Sequence, residues 1–373
     1  MSGEPSKEIT ALVRPPAPDE LEICIFGPGI GEAIVLHLGE GKWICVDSAK
    51  LDGRAWALRY LEALSIEPSQ VCLILATHWH SDHVDGLSEI VKSCPGVQFV
   101  LSNALRVDEF KQLMARFVPQ DSERIRAPLL EIRSIVQTYG DRRNENVNHP
   151  APKYASSKSL LFRIENVGGH GPLEIWSLSP SDEDVSASRQ EFANLFIPPE
   201  QYASGMNPIA QNSSCIVLLL TVDKDVILLG SDLEQTNSNS TGWNAVVNAG
   251  WPLVPASAFK IAHHGSAGSY CQDLWDKFIQ PGAVAVVTPY TPSGLPRTVE
   301  LNRLRAIGCE LYVTALPHEV SVPRSLDVIR EIKGMTQEFR SLYMPEKNGV
   351  VRLRKKIGQG AWGAETFFGA RRY

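Results

Sequence analysis

The apolar run Val71 to Ala76 stops at Thr77-His78-Trp79-His80-Ser81-Asp82-His83. A run that short, bounded by polar residues, reads as a buried strand. The residues after it then fall on the loop at the strand's C-terminal end. Alternation turns His78 and His80 the same way, and Asp82 and His83 follow as a helix begins near Val84. Carboxylate beside imidazole suits zinc or a similar transition metal, and the lack of cysteine in the set argues against a purely structural zinc. A lone histidine would be an ordinary surface residue. His-x-His-x-Asp-His directly after an apolar strand has ligand spacing, and it confines the chain to folds that build a site at strand ends.

The rest of the composition sets bounds. The chain has 373 residues, 43% hydrophobic and 21% charged, enough for one large core or two domains. A net charge of −6 does not suggest a general polyanion-binding surface. The seven cysteines are scattered without a Cys-x-x-Cys pair, so neither a thioredoxin motif nor a zinc ribbon is indicated. Met1 to Glu20 is polar and proline-rich, unlike a signal peptide, and no run of about 20 apolar residues could span a membrane. These features lead us to expect a cytoplasmic setting without membrane association.

In chain order, a flexible arm is expected over 1–20. Leu21 to Phe26, Ala33 to Leu38 and Trp43 to Val46 read as a β-meander that ends at Asp47. The glycine-rich turn between the first two does not open a helix, which argues against a dinucleotide site. Arg54 to Leu64 has helical periodicity. After the metal strand come a helix and another strand, a pattern that suits an α/β sandwich. Asn103 to Gln137 reads as helix divided by Pro119 and Pro128, and Tyr139 to Lys158 as a mobile polar loop. His170 sits in a glycine-rich turn, where a turn role is favoured over a ligand role. The strand-like run Cys215 to Val222 follows Asn212-Ser213-Ser214, and Val226 to Leu229 ends at Gly230-Ser231-Asp232. Asp232 is placed to enter a metal site or to cap a following helix. Phe259 to Ala262 ends at the adjacent pair His263-His264. Val350 to Lys355 alternates as a late strand, and 360–373 carries no assignment.

The order of Asp47, the His78/His80/Asp82/His83 group, Asp232 and His264 resembles the motif series of the metallo-β-lactamase superfamily. The resemblance implies an αββα sandwich, an α/β fold, over 21–330, with inserts near 104–158 and 183–210 and a C-terminal extension over 331–373. A histidine is usual at the third motif, and Asn212 stands there instead. That departure, with Leu-Leu-Gly-Ser-Asp-Leu and Lys-x-x-His-His-Gly-Ser, is similar to the C-terminal domain of ComEC-type DNA-uptake proteins and related phosphorylcholine esterases. The channel segments of those proteins have no counterpart, and Leu295-Pro296-Arg297 replaces a usual His-Pro.

What the resemblance implies is a hydrolase with two divalent ions, zinc or alternatively manganese. His78 and His80 would hold one, with Asn212 as a weak ligand. Asp82, His83 and His264 (or His263 in its place) would hold the second, and Asp232 would bridge them. Asp47 would orient a ligand. A metal-activated hydroxide at this dinuclear site would attack the substrate, with Asp82 and His263 as catalytic residues and His263 a phosphate contact or proton donor. The expected substrate is a phosphodiester in nucleic acid or a nucleotide. The alternatives are a carboxylic ester or lactone, and a non-catalytic subunit whose metal only closes the fold. No protein partner is indicated.

Overall fold

The computed structural model describes residues 11–116, 123–145, 149–194, 212–251, 254–315 and 348–373. In β1 (Glu20–Gly27), Ile23 and Ile25 point one way, Cys24 and Phe26 the other, and all four are buried. A strand that is apolar on both faces needs cover on both. The chain supplies it by stacking two sheets and flanking each with helices.

The meander β1, β2 (Ala33–His37) and β3 (Trp43–Val46) leads through a short hairpin, β4 (Lys50–Leu51) and β5 (Arg54–Ala55), into β6 (Val71–Ala76), β7 (Gln98–Ser102) and β8 (Lys153–Ala155). The second half of the chain adds β9 (Ser159–Ile164), β10 (Leu173–Ser177), β11 (Leu218–Val222), β12 (Asp225–Leu229), β13 (Ala256–Lys260), β14 (Ile279–Val287) and β15 (Glu310–Val313). Three late strands follow: β16 (Gly349–Lys356), β17 (Gly363–Phe368) and β18 (Arg371–Arg372). One sheet has the order β17-β16-β1-β2-β3-β6-β7-β8, the other β18-β15-β14-β13-β12-β11-β10-β9. In the first, β3, β6, β7 and β8 run parallel; in the second, β12 to β15 do. Each sheet thus joins an antiparallel half to a parallel half, and helical crossovers serve the parallel halves.

Ile23, Ile25, Ile44, Leu73 and Leu75 meet Ile175, Leu220, Ile227 and Val286 between the sheets. The opposite face of the first sheet packs on Trp56, Leu61, Ile90 and Ile132, and that of the second on Trp243, Leu274, Trp275 and Leu301. This is the expected αββα sandwich.

Several local expectations are corrected. Pro128 does not divide its segment: one helix spans Glu123–Asn144, with Leu129, Ile132, Ile135 and Tyr139 buried. Packing of that apolar stripe outweighs the hydrogen bond that proline removes. Tyr139 to Asn144 therefore belong to a helix and not to a mobile loop, and Lys153 to Ala155 pair with β7 as the sheet's edge. Arg142 is buried because it donates to the carbonyl of Val91 (2.6 Å) at the end of the helix Leu87–Ser93. In the described part of the arm, Leu12 is buried, and the Arg352 guanidinium donates to the carbonyls of Leu12 (2.6 Å) and Ala11 (3.1 Å). The described part of the C-terminal extension contributes strands to both sheets. β16 lies in the first sheet against β1, and β18 joins the second sheet beside β15.

The insert expected near 183–210 opens with a helix, Asp182–Asn194, and its remainder to 210 falls outside the described residues. So do residues 316–347, which include the first part of the C-terminal extension expected over 331–373. No helix among the described residues is long and apolar enough to cross a membrane.

Candidate metal centre

The parallel halves of both sheets aim their strand ends at the same place. From the first sheet come Asp47 after β3 and His78, His80, Asp82 and His83 after β6. From the second come Asp232 after β12, His263 and His264 after β13, and Thr288 after β14. Crevices at the carboxyl ends of parallel strands are the usual place for ligands in open α/β sheets. The backbone there is bent sharply: Asp47, Ser231, His263 and His264 all have positive φ, between 46° and 57°. Non-glycine residues adopt this conformation at a cost of about 1–3 kcal/mol each, and such strain gathers at functional sites.

Ligand atoms of Asp82, His83, Asp232 and His264 lie within 4.8 Å of one another. His83 Nε2 is 3.3 Å from Asp232 Oδ1 and 3.8 Å from Asp82 Oδ2. His264 Nε2 is 3.4 Å from Asp82 Oδ2 and 3.7 Å from Asp232 Oδ2. The rings of His78 and His80 are 4.7 Å apart, and that of His78 is 4.2 Å from His83.

Hydrogen bonds set which nitrogen of each ring faces inward. Asp47 Oδ2 accepts from His83 Nδ1 (2.7 Å) and from the Thr77 hydroxyl (2.7 Å), while Oδ1 accepts from the Thr77 backbone N–H (2.7 Å). The Thr77 hydroxyl donates its one proton to the hydrogen bond with Asp47, so it accepts from His78 Nδ1 (3.1 Å). His264 Nδ1 donates to Thr288, to its carbonyl (3.1 Å) and its hydroxyl oxygen (3.2 Å). In all three rings Nδ1 carries a proton, so Nε2 is the atom that faces the cluster.

The Nε2 atoms of His78, His80 and His83, with Oδ1 of Asp232 and of Asn212, are buried without a hydrogen-bond partner among the described residues. Leaving such groups unpaired costs about 1–3 kcal/mol each. A cation relieves that cost for lone pairs that converge, so this donor set of imidazole and carboxylate fits a divalent transition metal.

The charge distribution has the same sense. Burial alone would raise the Asp82 and Asp232 carboxyls. The imidazoles of His83 and His264 outweigh it and hold both below the usual carboxylate range. Burial would likewise lower His83, but Asp232, Asp47 and Asp82 push it well above the ordinary histidine value. For His78 burial prevails, with the neighbouring His83 and His80 adding to it, and its value falls. Burial also lowers His80. Without an ion, a proton on His83 offsets the carboxylates.

The structure separates the adjacent histidines. His264 is buried in the cluster, with the Tyr290 ring stacked on it at 5.2 Å. His263 stands at the rim with its side chain 25% exposed, its Nδ1 2.8 Å from Glu234 Oε1. Asp232 caps no helix, since the next one is Gly242–Asn248. Asn212 is buried, and its segment is tied to the metal loop by the Ile216 N–H bond to the Thr77 carbonyl (2.9 Å). His170 lies away from the cluster, in a turn where its N–H donates to the Val167 carbonyl (3.0 Å) and its ring stands 3.7 Å from Asp223.

Three participants carry no sequence signal of their own: Glu32, Glu234 and Thr288. Glu32 reaches the centre because Gly31, at φ 86°, lets its loop pass so near Asp82 that a Cβ would sit 2.5 Å from the Asp82 carbonyl oxygen. The Glu32 N–H then bonds that same oxygen at 3.0 Å.

Residues 26–142 match the model of the metallo-beta-lactamase superfamily. Among solved structures, a motif mutant of the Cronobacter sakazakii metallo-β-lactamase is 14% identical, with 58% of this chain and 63% of that one covered and a TM-score of 0.31. The chain thus spans less than two thirds of that protein's length. The short form of human tRNase Z is 12% identical over 64% of this chain and 76% of its own, with a TM-score of 0.32. Zinc-bound PqqB from Methylobacterium extorquens is 11% identical over 75% and 84%, with a TM-score of 0.33. No curated protein gives a significant match. The layered αββα sandwich is thus the metallo-β-lactamase fold, and residues 26–142 are similar to that superfamily.

Proposed function

We propose that the protein is a metal-dependent hydrolase acting on phosphodiesters, in nucleic acid or nucleotides. The observation that carries the hydrolase reading is the convergence of Asp82, His83, Asp232 and His264, with His78 and His80 beside them and their Nε2 atoms unpaired. These six residues would hold zinc or manganese, with Asn212 as a further oxygen donor to the His78/His80 side. When bound, such an ion acidifies water to near-neutral pKa and offsets charge on a phosphoryl oxygen.

The chain's own residues do the rest. Asp47 and Thr77 orient the His83 and His78 rings. His263 supports a phosphoryl substrate over a neutral one. Burial would lower it, but the Glu234 hydrogen bond and the nearby Asp232 raise it above the ordinary histidine value. It therefore offers a cationic N–H donor at the rim, suited to a phosphate oxygen or to protonating a leaving alkoxide. The similarity of Lys260-Ile261-Ala262-His263-His264-Gly265-Ser266 to the ComEC-type branch favours the same substrate class.

The test is a comparison of substrates on metal-stripped protein refilled with zinc or manganese. Bis(p-nitrophenyl) phosphate, a p-nitrophenyl carboxylate ester and a lactone are offered in parallel. Diester cleavage that depends on metal is expected. Turnover of the ester or lactone alone would replace the phosphodiester reading with the carboxyl-ester one.

A further inference from the structure

We infer that Glu32, Lys260 and Thr288 form a brace that positions His264 and holds the ligands of the two sheets at a fixed separation. The inference rests on reading the cluster as a metal centre. Asp82 and His83 hang from the first sheet, Asp232 and His264 from the second. A centre assembled across a sandwich needs something to set the gap between its halves. Asp47 does not span it, because its side-chain bonds stay within the first sheet's own segments.

Glu32 does span it. It precedes β2 in the first sheet, and its carboxylate forms an ion pair with Lys260, the last residue of β13 in the second. Both side chains are at most 1% exposed. Lys260 Nζ also lies 3.3 Å from the Ser231 carbonyl, immediately before Asp232. Glu32 Oε2 accepts the Thr288 hydroxyl at 2.6 Å, directly after β14. Thr288 has one hydroxyl proton, and the carboxylate takes it. The hydroxyl oxygen can then only accept from His264 Nδ1 (3.2 Å), and together with the Thr288 carbonyl (3.1 Å) it turns His264 Nε2 toward Asp82 and Asp232. Glu32 thus stands to His264, through Thr288, as Asp47 stands to His78 through Thr77. Its other oxygen, Oε1, is 3.8 Å from His83 Nδ1, so the brace borders ligands of both sheets.

Burying an ion pair this completely brings little stability, since a well-packed apolar pair serves about as well or better. The position of the pair, and not its strength, is what the fold gains. Residues of this kind alter metal affinity about 10–100-fold when removed. The brace residues are positioning residues and touch no substrate.

Metal binding tests this without reference to turnover. Zinc affinity would be measured by chelator competition, and the visible spectrum recorded with cobalt(II), for the native chain and for Glu32→Leu/Lys260→Met, which removes both charges together. The double variant should keep the native melting temperature when metal-free within a few degrees, bind zinc at least about tenfold more weakly, and give an altered cobalt spectrum. Thr288→Val should shift both readouts in the same direction, and Thr288→Ser, which keeps the hydroxyl, should restore them. Native affinity and a native cobalt spectrum in the double variant would overturn the inference. So would a loss of affinity matched by melting of the metal-free protein, with Thr288→Val behaving as the native chain. A native chain that binds neither ion would instead remove the metal reading on which the inference rests.

Discussion

At the residue scale the centre is a set of imidazoles whose protons are already assigned. Asp47 shows how: one carboxylate orients His83 directly and His78 through Thr77. Asp47→Ala is expected to weaken zinc binding about 10–100-fold with the fold intact; unchanged affinity in a chelator competition would contradict that role. His83 adds a pH dependence. The surrounding carboxylates raise it above the ordinary histidine value in the metal-free chain, so a metal ion held there would displace a proton. Apparent zinc affinity should therefore fall as pH drops from 8 to 6, by up to about tenfold per pH unit for each proton displaced. A flat profile would count against it.

Beside the Asn212 segment, burial raises Glu191 from 4.5 to about 7, even though it accepts a hydrogen bond from Ser213. Its protonated form is the one the fold favours. The stability tied to that proton is present below pH 4.5 and lost as pH rises through about 7. Glu191→Gln should accordingly be more stable than the native chain at pH 8, by roughly 3 kcal/mol at most, with the difference vanishing below pH 4.5. Urea midpoints at the two pH values would show it; an equal gain at both would point to another cause.

At the element scale, the parts of the site that end apolar strands were legible. β6 and β13 announce themselves by short apolar runs, and the polar residues that follow are placed by the strands themselves. Glu32 and Thr288 were not legible. The first depends on a glycine that lets its loop graze Asp82, the second on a strand pairing made far along the chain. The helix through Pro128 was hidden for a related reason: a local breaker is visible in sequence, while the packing that overrides it is not.

The C-terminal strands show the same limit. β16 alternates, but nothing local says that it pairs with β1 across eight positions. Arg352, with no exposed side chain, ties that strand to Leu12 and Ala11. Arg352→Met is expected to cost about 2 kcal/mol through unpaired carbonyls and to open the segment around Leu12 to proteolysis. An unchanged urea midpoint and unchanged cleavage would refute this.

For the whole molecule, two sheets with the same antiparallel-to-parallel layout each deliver part of one centre. Neither half offers the full ligand set, so the centre reports on the packing of the sandwich as a whole. The net charge of −6 gives no long-range pull toward polyanions, which leaves substrate recognition to the site and its rim. The central claim is that this shared cluster is the working centre. The most direct measurement is the hydrolysis of bis(p-nitrophenyl) phosphate by metal-refilled native protein, Asp82→Ala and His264→Ala, with circular dichroism to verify the fold of each. Metal-dependent turnover is expected in the native chain and none above background in either variant. Full turnover in a correctly folded Asp82→Ala or His264→Ala protein would contradict it.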